Sequence, residues 1–171
     1  MSSGSDSTKM DSASTGMMDS SHSMKDSAMA MVTTPEQDFI NIAVPGNMKE
    51  IAWLNAGMLK GNKAVMMDAA MMLKDHKKIG VNVAAYLKTR AMLKVPSVDT
   101  SDVVNIDEKS GNEWNKAWAD KMVADHSDLL THLHATENAT KDPDLKKLIA
   151  ATIPIVESHL AMAKKLQSSI K

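Results

Sequence analysis

The chain has 171 residues, of which 43% are hydrophobic and 24% are charged, and its formal net charge is −1. A chain of this length can bury one core, and its scattered lysines do not form the basic surface that nucleic-acid binding requires. The absence of cysteine excludes disulfides and thiol chemistry. No apolar run approaches the roughly 20 residues of a transmembrane helix. We therefore expect one soluble domain that does not bind nucleic acid.

Residues 1–33 are rich in serine and contain no leucine, isoleucine or aromatic residue. Such a segment cannot bury enough apolar surface to offset the entropy of ordering it, so we predict a disordered tether. A serine-rich stretch after a start methionine also favours the mature part of an exported protein. Two interpretations of the tether stay open. It is a low-complexity spacer, or its thioethers and imidazole capture Cu(I) or Ag(I), with the candidate ligands Met17, Met18, His22 and Met24.

Residues 34–169 show apolar positions at steps of three and four, the period of amphipathic helices. Helix starts are indicated by Thr34-Pro35, by the capping box from Ser110 to Glu113 and by Asp142-Pro143. Pro45-Gly46 is expected to kink or split the first helix. The pattern predicts an all-α fold, a four-helix bundle, with helices at about 35–60, 63–94, 111–139 and 143–168.

One short pattern, Met-x-x-Asp-His, occurs twice, ending at His76 and at His126, and a third histidine, His159, lies in the last helix. All three histidines fall on the apolar stripes of their helices. The rise of 1.5 Å per residue puts them at one level of the bundle, whether the two hairpin turns lie at the same end or at opposite ends. We therefore predict that the three imidazoles share one buried layer.

Glu50 of the first helix reaches the same level, and three histidines with one carboxylate can bind Zn(II), Fe(II), Mn(II) or Cu(II). The predicted metal ligands are therefore His76, His126, His159 and Glu50. Asp75 and Asp125 lie about 100° around their helices from the adjacent histidines, so they are expected to orient a neighbour's ring rather than to bind the metal.

Other interpretations of the histidines remain open. Buried neutral rings can form a purely structural polar network, or take part in proton transfer. His132 and His134 are expected at the surface. A di-iron oxidase needs Glu-x-x-His pairs, and the residues three before the histidines are instead Leu73, Val123 and Val156. With no nucleophile motif either, the chain is not expected to be an enzyme.

Several motifs resemble a bacterial envelope family that is catalogued as a domain of unknown function and often labelled as outer-membrane proteins. The resemblance covers residues 34–168. It implies a ferritin-like four-helix bundle, an exported chain in the periplasm or at the outer membrane, and a lipid anchor in the natural precursor; it implies no established activity. The motifs are Met48-Lys49-Glu50-Ile51 after Gly46, the two Met-x-x-Asp-His sequences, Gly111-x-x-Trp114-x-x-x-Trp118, Ile153-Pro154 and His159-Leu160-x-x-Ala163.

Together, these patterns favour a non-enzymatic envelope protein that binds one transition-metal ion through the three histidines, in a metal-handling or stress role. The alternatives are a structural or partner-binding module with a buried polar network, and a bundle whose methionine-rich tail binds the metal.

Overall fold

The computed structural model describes residues 33–99 and 109–170, and within these ranges it contains four α-helices and no strand. The predicted all-α four-helix bundle is confirmed. The predicted disordered tail lies outside the described residues, apart from Thr33. The helices are α1 (Pro35–Lys60), α2 (Lys63–Lys88), α3 (Gly111–Ala139) and α4 (Pro143–Ser169).

Side-chain caps explain where three of the helices begin. The Thr34 hydroxyl accepts the Gln37 amide at 3.2 Å, the Asn62 side chain accepts the Val65 amide at 3.0 Å, and the Asp142 carboxylate caps α4. The predicted capping box at Ser110 is wrong, because the Ser110 side chain makes no cap hydrogen bond. Gly111 follows it at a φ of 56°, so the first residue of α3 lacks the helical geometry that a capping box needs.

The predicted extension of α2 to residue 94 is also wrong, since α2 ends at Lys88. The Thr89 hydroxyl donates to the Tyr86 carbonyl at 2.8 Å, and the amide and carbonyl of Lys94 bond the Gln37 side chain on α1 at 2.9 and 2.8 Å. These tertiary contacts replace the last turns of the helix. Pro45 was expected to kink or split the first helix. The structure shows that α1 is not split there but continues through Pro45 as one helix.

The two hairpin turns lie at opposite ends of the bundle. The Asn62 amide in the α1–α2 turn donates to the Asn115 side chain at 2.9 Å, so α3 begins beside that turn. Arg90, just past the end of α2, pairs with Asp142 in the α3–α4 turn at 2.8 Å. α2 and α3 therefore run in the same direction, as in the ferritin-like topology. This decides between the two topologies left open by the sequence.

Two apolar clusters fill the core, one on each side of the histidines along the bundle axis. The cluster nearer the α1–α2 turn includes Trp53, Met72, Trp118, Met122 and Ala163. The cluster nearer the α3–α4 turn includes Phe39, Ile79, Leu133, Leu145 and Val156. On its own helix, each histidine lies about one turn from a residue that belongs to, or packs against, each of the two clusters. The bundle therefore places one polar layer between two apolar segments.

Gly57 allows α1 and α3 to approach closely, and its replacement should destabilise the bundle. A Cβ at Gly57 would lie 2.9 Å from three atoms of the Trp118 ring, which is fixed by a 2.9 Å hydrogen bond from its N–H to the Trp53 carbonyl. We expect Gly57→Ala to lower the free energy of unfolding by about 1–3 kcal/mol, measured by urea denaturation.

Gly46 on the same helix provides the matched control. A Cβ there would meet nothing within 4 Å. Gly46→Ala should therefore raise the free energy of unfolding by about 0.5–1 kcal/mol, through the higher helix propensity of alanine. Equal effects of the two substitutions would contradict the proposed contact between Gly57 and Trp118.

Candidate metal centre

His76, His126 and His159 come together in the middle of the bundle, as predicted. Each side chain is at most 2% exposed, and the three ring centroids are 5.2–5.6 Å apart. One nitrogen of each ring lies within 4.8 Å of a nitrogen of both other rings. The cluster has the size of a metal site, and its chemistry depends on which nitrogens carry protons.

His126 is oriented by its own helix. Its Nδ1 lies 2.7 Å from the Met122 carbonyl, one turn earlier on α3. A carbonyl can only accept, so Nδ1 carries the proton and Nε2 of the neutral ring keeps its lone pair. That Nε2 lies 3.4 Å from the Nε2 of His76.

His76 is held from α1. Its Nδ1 lies 3.0 Å from Oδ1 of Asn47, so the N–H donates to the amide oxygen and leaves Nε2 as the second lone pair. Gly80, one turn beyond His76, makes this contact possible, because a Cβ there would lie 2.9 Å from the Asn47 amide nitrogen. Asn47 was not identified from the sequence. The sequence contains one signal that could have identified Asn47. The residue lies one turn before Glu50, and Gly80 lies one turn after His76.

His159 is held from α2. Its Nε2 donates to the half-exposed Asp75 carboxylate at 3.1 Å, across the α2–α4 interface. Its Nδ1 is buried and has no hydrogen-bond partner among the described residues. Asp75 thus bonds the ring of a histidine on a neighbouring helix, and its supporting role at a metal site stays a prediction.

With these hydrogen bonds each ring donates one N–H to an oxygen, and the other nitrogen of each neutral ring carries a lone pair. Burial lowers the pKa of His76 to about 3 and that of His126 to about 4, with mutual repulsion between the rings adding to the effect at His76. Burial also lowers the pKa of His159, against the opposing effect of the hydrogen bond that its ring donates to Asp75. Near neutral pH the three rings are neutral, which is the state that binds metal.

Glu50 is buried at the same level but approaches His126 from the other side. Its Oε1 lies 3.9 Å from Nδ1 of His126, the nitrogen already used for Met122, and it is not among the side chains whose ligand atoms converge. Burial, with repulsion from Asp125, raises the pKa of Glu50 to about 8. Asp125 itself pairs with Lys121 at 2.8 Å and lies near Glu50, and no hydrogen bond joins it to a histidine ring among the described residues.

A cavity of about 320 Å³ lies beside the cluster, mainly between α1 and α3, and Glu50, His76 and His126 line its inner part. Exposed residues such as Ile42 and His132 line its outer part, so it opens to solvent. His132 and His134 are both exposed, as predicted.

Two further predictions concern the metal ligands of the tail and the absence of a membrane-spanning helix. The candidate soft-metal ligands Met17, Met18, His22 and Met24 lie outside the described residues. Among the helices of the described ranges, none combines the length and hydropathy of a membrane span.

Fold and site together define an all-α four-helix bundle with a buried three-histidine cluster at its centre. The chain belongs to the family described as Domain of unknown function (DUF4142), whose model matches residues 21–166. No curated protein and no solved structure matches the chain. The family assignment agrees with the predicted domain of unknown function.

Proposed function

We propose that this protein binds one transition-metal ion through His76, His126 and His159, in a non-enzymatic metal-handling role. The observation that carries the proposal is the arrangement of hydrogen bonds around the cluster. One nitrogen of each ring donates to Asn47, to the Met122 carbonyl or to Asp75, so each ring keeps one lone pair, and one nitrogen of each ring lies within 4.8 Å of one nitrogen of both other rings.

This arrangement is characteristic of metal-binding histidines. Such rings donate their second N–H to a carboxylate or carbonyl oxygen, which sets the tautomer and raises the basicity of the ligand nitrogen. Without a cation, three lone pairs repel one another, and Nδ1 of His159 lacks a hydrogen bond among the described residues. A bound cation would satisfy all three nitrogens.

The donor set favours particular ions. In a tetrahedral site with zinc–nitrogen bonds of about 2.05 Å, the ligand nitrogens lie about 3.4 Å apart. The 3.4 Å between Nε2 of His76 and Nε2 of His126 equals this value. Imidazole suits Zn(II), Cu(II) and Fe(II), whereas Mn(II) prefers carboxylate and water oxygens. Since Glu50 faces the outer side of His126, we propose a three-histidine site with an open fourth position.

Metal analysis of untagged protein tests the proposal. After incubation with Zn(II), Cu(II) or Fe(II) and gel filtration, we expect about one equivalent of ion per chain for at least one metal. His159→Ala should reduce it below about a tenth of an equivalent, since two imidazoles bind far more weakly than three. His134→Ala is the matched control on the exposed surface of α3 and should retain the full equivalent.

A second candidate function is a structural module in which the histidines only hydrogen-bond each other. The 3.4 Å contact between His76 and His126 favours it if Nε2 of His76 carries the proton. His76 Nδ1 must then accept from the Asn47 amide, so that side chain would be rotated by half a turn. This candidate predicts full stability in the presence of a chelator and no stoichiometric metal with any of the three ions.

The cellular setting belongs to the proposal as well. The motif resemblance supports a periplasmic or outer-membrane-anchored location, and the methionines of residues 1–33 would add a soft-metal site at the tail. Deleting residues 1–33 separates the two sites, because binding by the histidine cluster should persist and Cu(I) binding by the tail should disappear.

A further inference from the structure

The cavity between α1 and α3 has two chemically different parts. Its inner end is polar, with Asn47, Glu50 and Asp125 beside the rings of His76 and His126. Its walls towards the α3–α4 turn are apolar and come from three helices. They are formed by Phe39, Ile42, Ile79, Val83, Leu129 and Leu133. At about 320 Å³ the cavity falls at the lower end of the range for small-molecule sites, about 300–1,000 Å³.

The polar end of the cavity lacks a hydrogen-bond donor for Glu50. The residue is 6% exposed, and its Oε1 is buried without a hydrogen-bond partner among the described residues. A buried carboxyl oxygen without a donor is costly, so a native structure is expected to supply a donor there. Because Glu50 lines the cavity, a molecule in the cavity can provide it.

The acidic groups at the polar end favour a cation as that donor. Burial and the repulsion from Asp125 raise the pKa of Glu50 to about 8, and a positive charge beside the two carboxyl groups would relieve that repulsion. Lys121 is already engaged, since its ammonium is 2.8 Å from Asp125 and lies over the Trp53 ring at 5.2 Å. A carboxylate ligand would instead face the buried Glu50 and the adjacent Asp125.

We propose that this cavity binds a small organic cation, a primary ammonium group carried on a short apolar body. The ammonium donates to Oε1 of Glu50 near Asp125, and the apolar body packs between Phe39 of α1, Ile79 of α2 and Leu133 of α3. This site adjoins the histidine cluster, since His76 and His126 line its inner end, but its central residue, Glu50, is not among the side chains whose ligand atoms come together.

Titration of the full chain with phenylethylammonium, in the presence of a chelator, tests the proposal without any metal. Two-dimensional amide NMR spectra should show saturable shifts of the signals from cavity residues, including the indole N–H of Trp53. We expect a Kd of about 1 mM or tighter. Phenylethanol, which has the same ring and no charge, should bind about tenfold more weakly, and phenylpropionate should not bind measurably.

Two variants separate the roles of charge and space. Glu50→Gln keeps the size of the side chain and replaces a carboxyl that can ionise beside a bound cation with an amide that cannot, and should weaken phenylethylammonium binding about tenfold while leaving phenylethanol unaffected. Gly46→Leu should abolish binding of both, because a side chain at Gly46 extends into open space in the wall of the cavity. Ala85→Leu, on the exposed face of α2 away from the cavity, should bind like the wild type.

Three results would overturn the proposal. These are the absence of saturable shifts with phenylethylammonium at about ten times the expected Kd, equal affinity for the amine and the alcohol, and unchanged amine affinity in folded Gly46→Leu. Because the experiment contains no metal, its outcome is independent of the metal analysis.

Discussion

Addition of a saturating transition-metal ion to the metal-free protein should raise its melting temperature by about 12–20 °C. An ion that binds only the folded state stabilises it by about 4 kcal/mol at a thousandfold excess over Kd. For a domain of this size, each kcal/mol corresponds to about 3–5 °C. The three lone pairs of His76, His126 and His159 converge only in the folded bundle, so the unfolded chain cannot compete effectively. Differential scanning calorimetry with and without chelator measures the shift.

His159→Ala removes one ligand and should abolish the shift, whereas His134→Ala should leave it unchanged. His159 is the appropriate ligand to remove because it does not line the cavity between α1 and α3. A shift of the same size in His159→Ala would place the ion elsewhere and contradict the three-histidine site.

Acidification should destabilise the metal-free protein, because the histidines gain protons on unfolding. In an unfolded chain they titrate near pH 6.5, while in the bundle the pKa of His76 is about 3 and that of His126 about 4. Their contribution to stability is complete above pH 6.5 and is lost as the pH falls towards these folded values. Between pH 7 and 4.5 the two rings together should lose about 5 kcal/mol, and the lowered pKa of His159 acts in the same direction.

Glu50 opposes this loss. Its pKa is raised from 4.5 to about 8, so its ionisation favours the unfolded chain above pH 4.5 and its cost to the fold grows up to about pH 8. At Glu50, acidification from pH 7 to 4.5 therefore raises the free energy of unfolding by about 3 kcal/mol. The wild type should lose only the difference between this gain and the loss at the histidines.

Glu50→Gln isolates the histidines. The variant should be about 3 kcal/mol more stable than the wild type at pH 7 and about equally stable at pH 4.5, so its acid sensitivity should be the steeper one. Urea denaturation in the presence of chelator measures both proteins at the two pH values. If the free energy of unfolding of the variant changed between pH 7 and 4.5 by the same amount as that of the wild type, the raised pKa of Glu50 would be contradicted.

The helices were predictable because their signals are local. Apolar spacing and the Thr34-Pro35 and Asp142-Pro143 starts are properties of neighbouring residues, and the structure shows the corresponding caps. The end of α2 was not predictable in this way. Residues 89–94 have a helix-compatible sequence, and the contacts that replace the helix there come from Gln37 and Asp142, which are 57 and 52 residues away.

The candidate site was predictable in part for the same reason. The helical period places His76, His126 and His159 on buried stripes, and the rise per residue places them at one level, so their meeting follows from the sequence. The side of a ring that each neighbour approaches depends on the rotation and tilt of whole helices. That rotation places Glu50 beside Nδ1 of His126 instead of among the converging lone pairs.

The sequence by itself thus determined an all-α bundle with three histidines in one buried layer, since helix period and length alone produce both. Only the tertiary structure decided the parallel direction of α2 and α3, the contact of Asn47 with His76, and the cavity lined by Glu50. These features depend on contacts between residues far apart in the chain, such as Asn62 with Asn115 and Arg90 with Asp142. No local pattern encodes such contacts, because they arise when four amphipathic surfaces pack together.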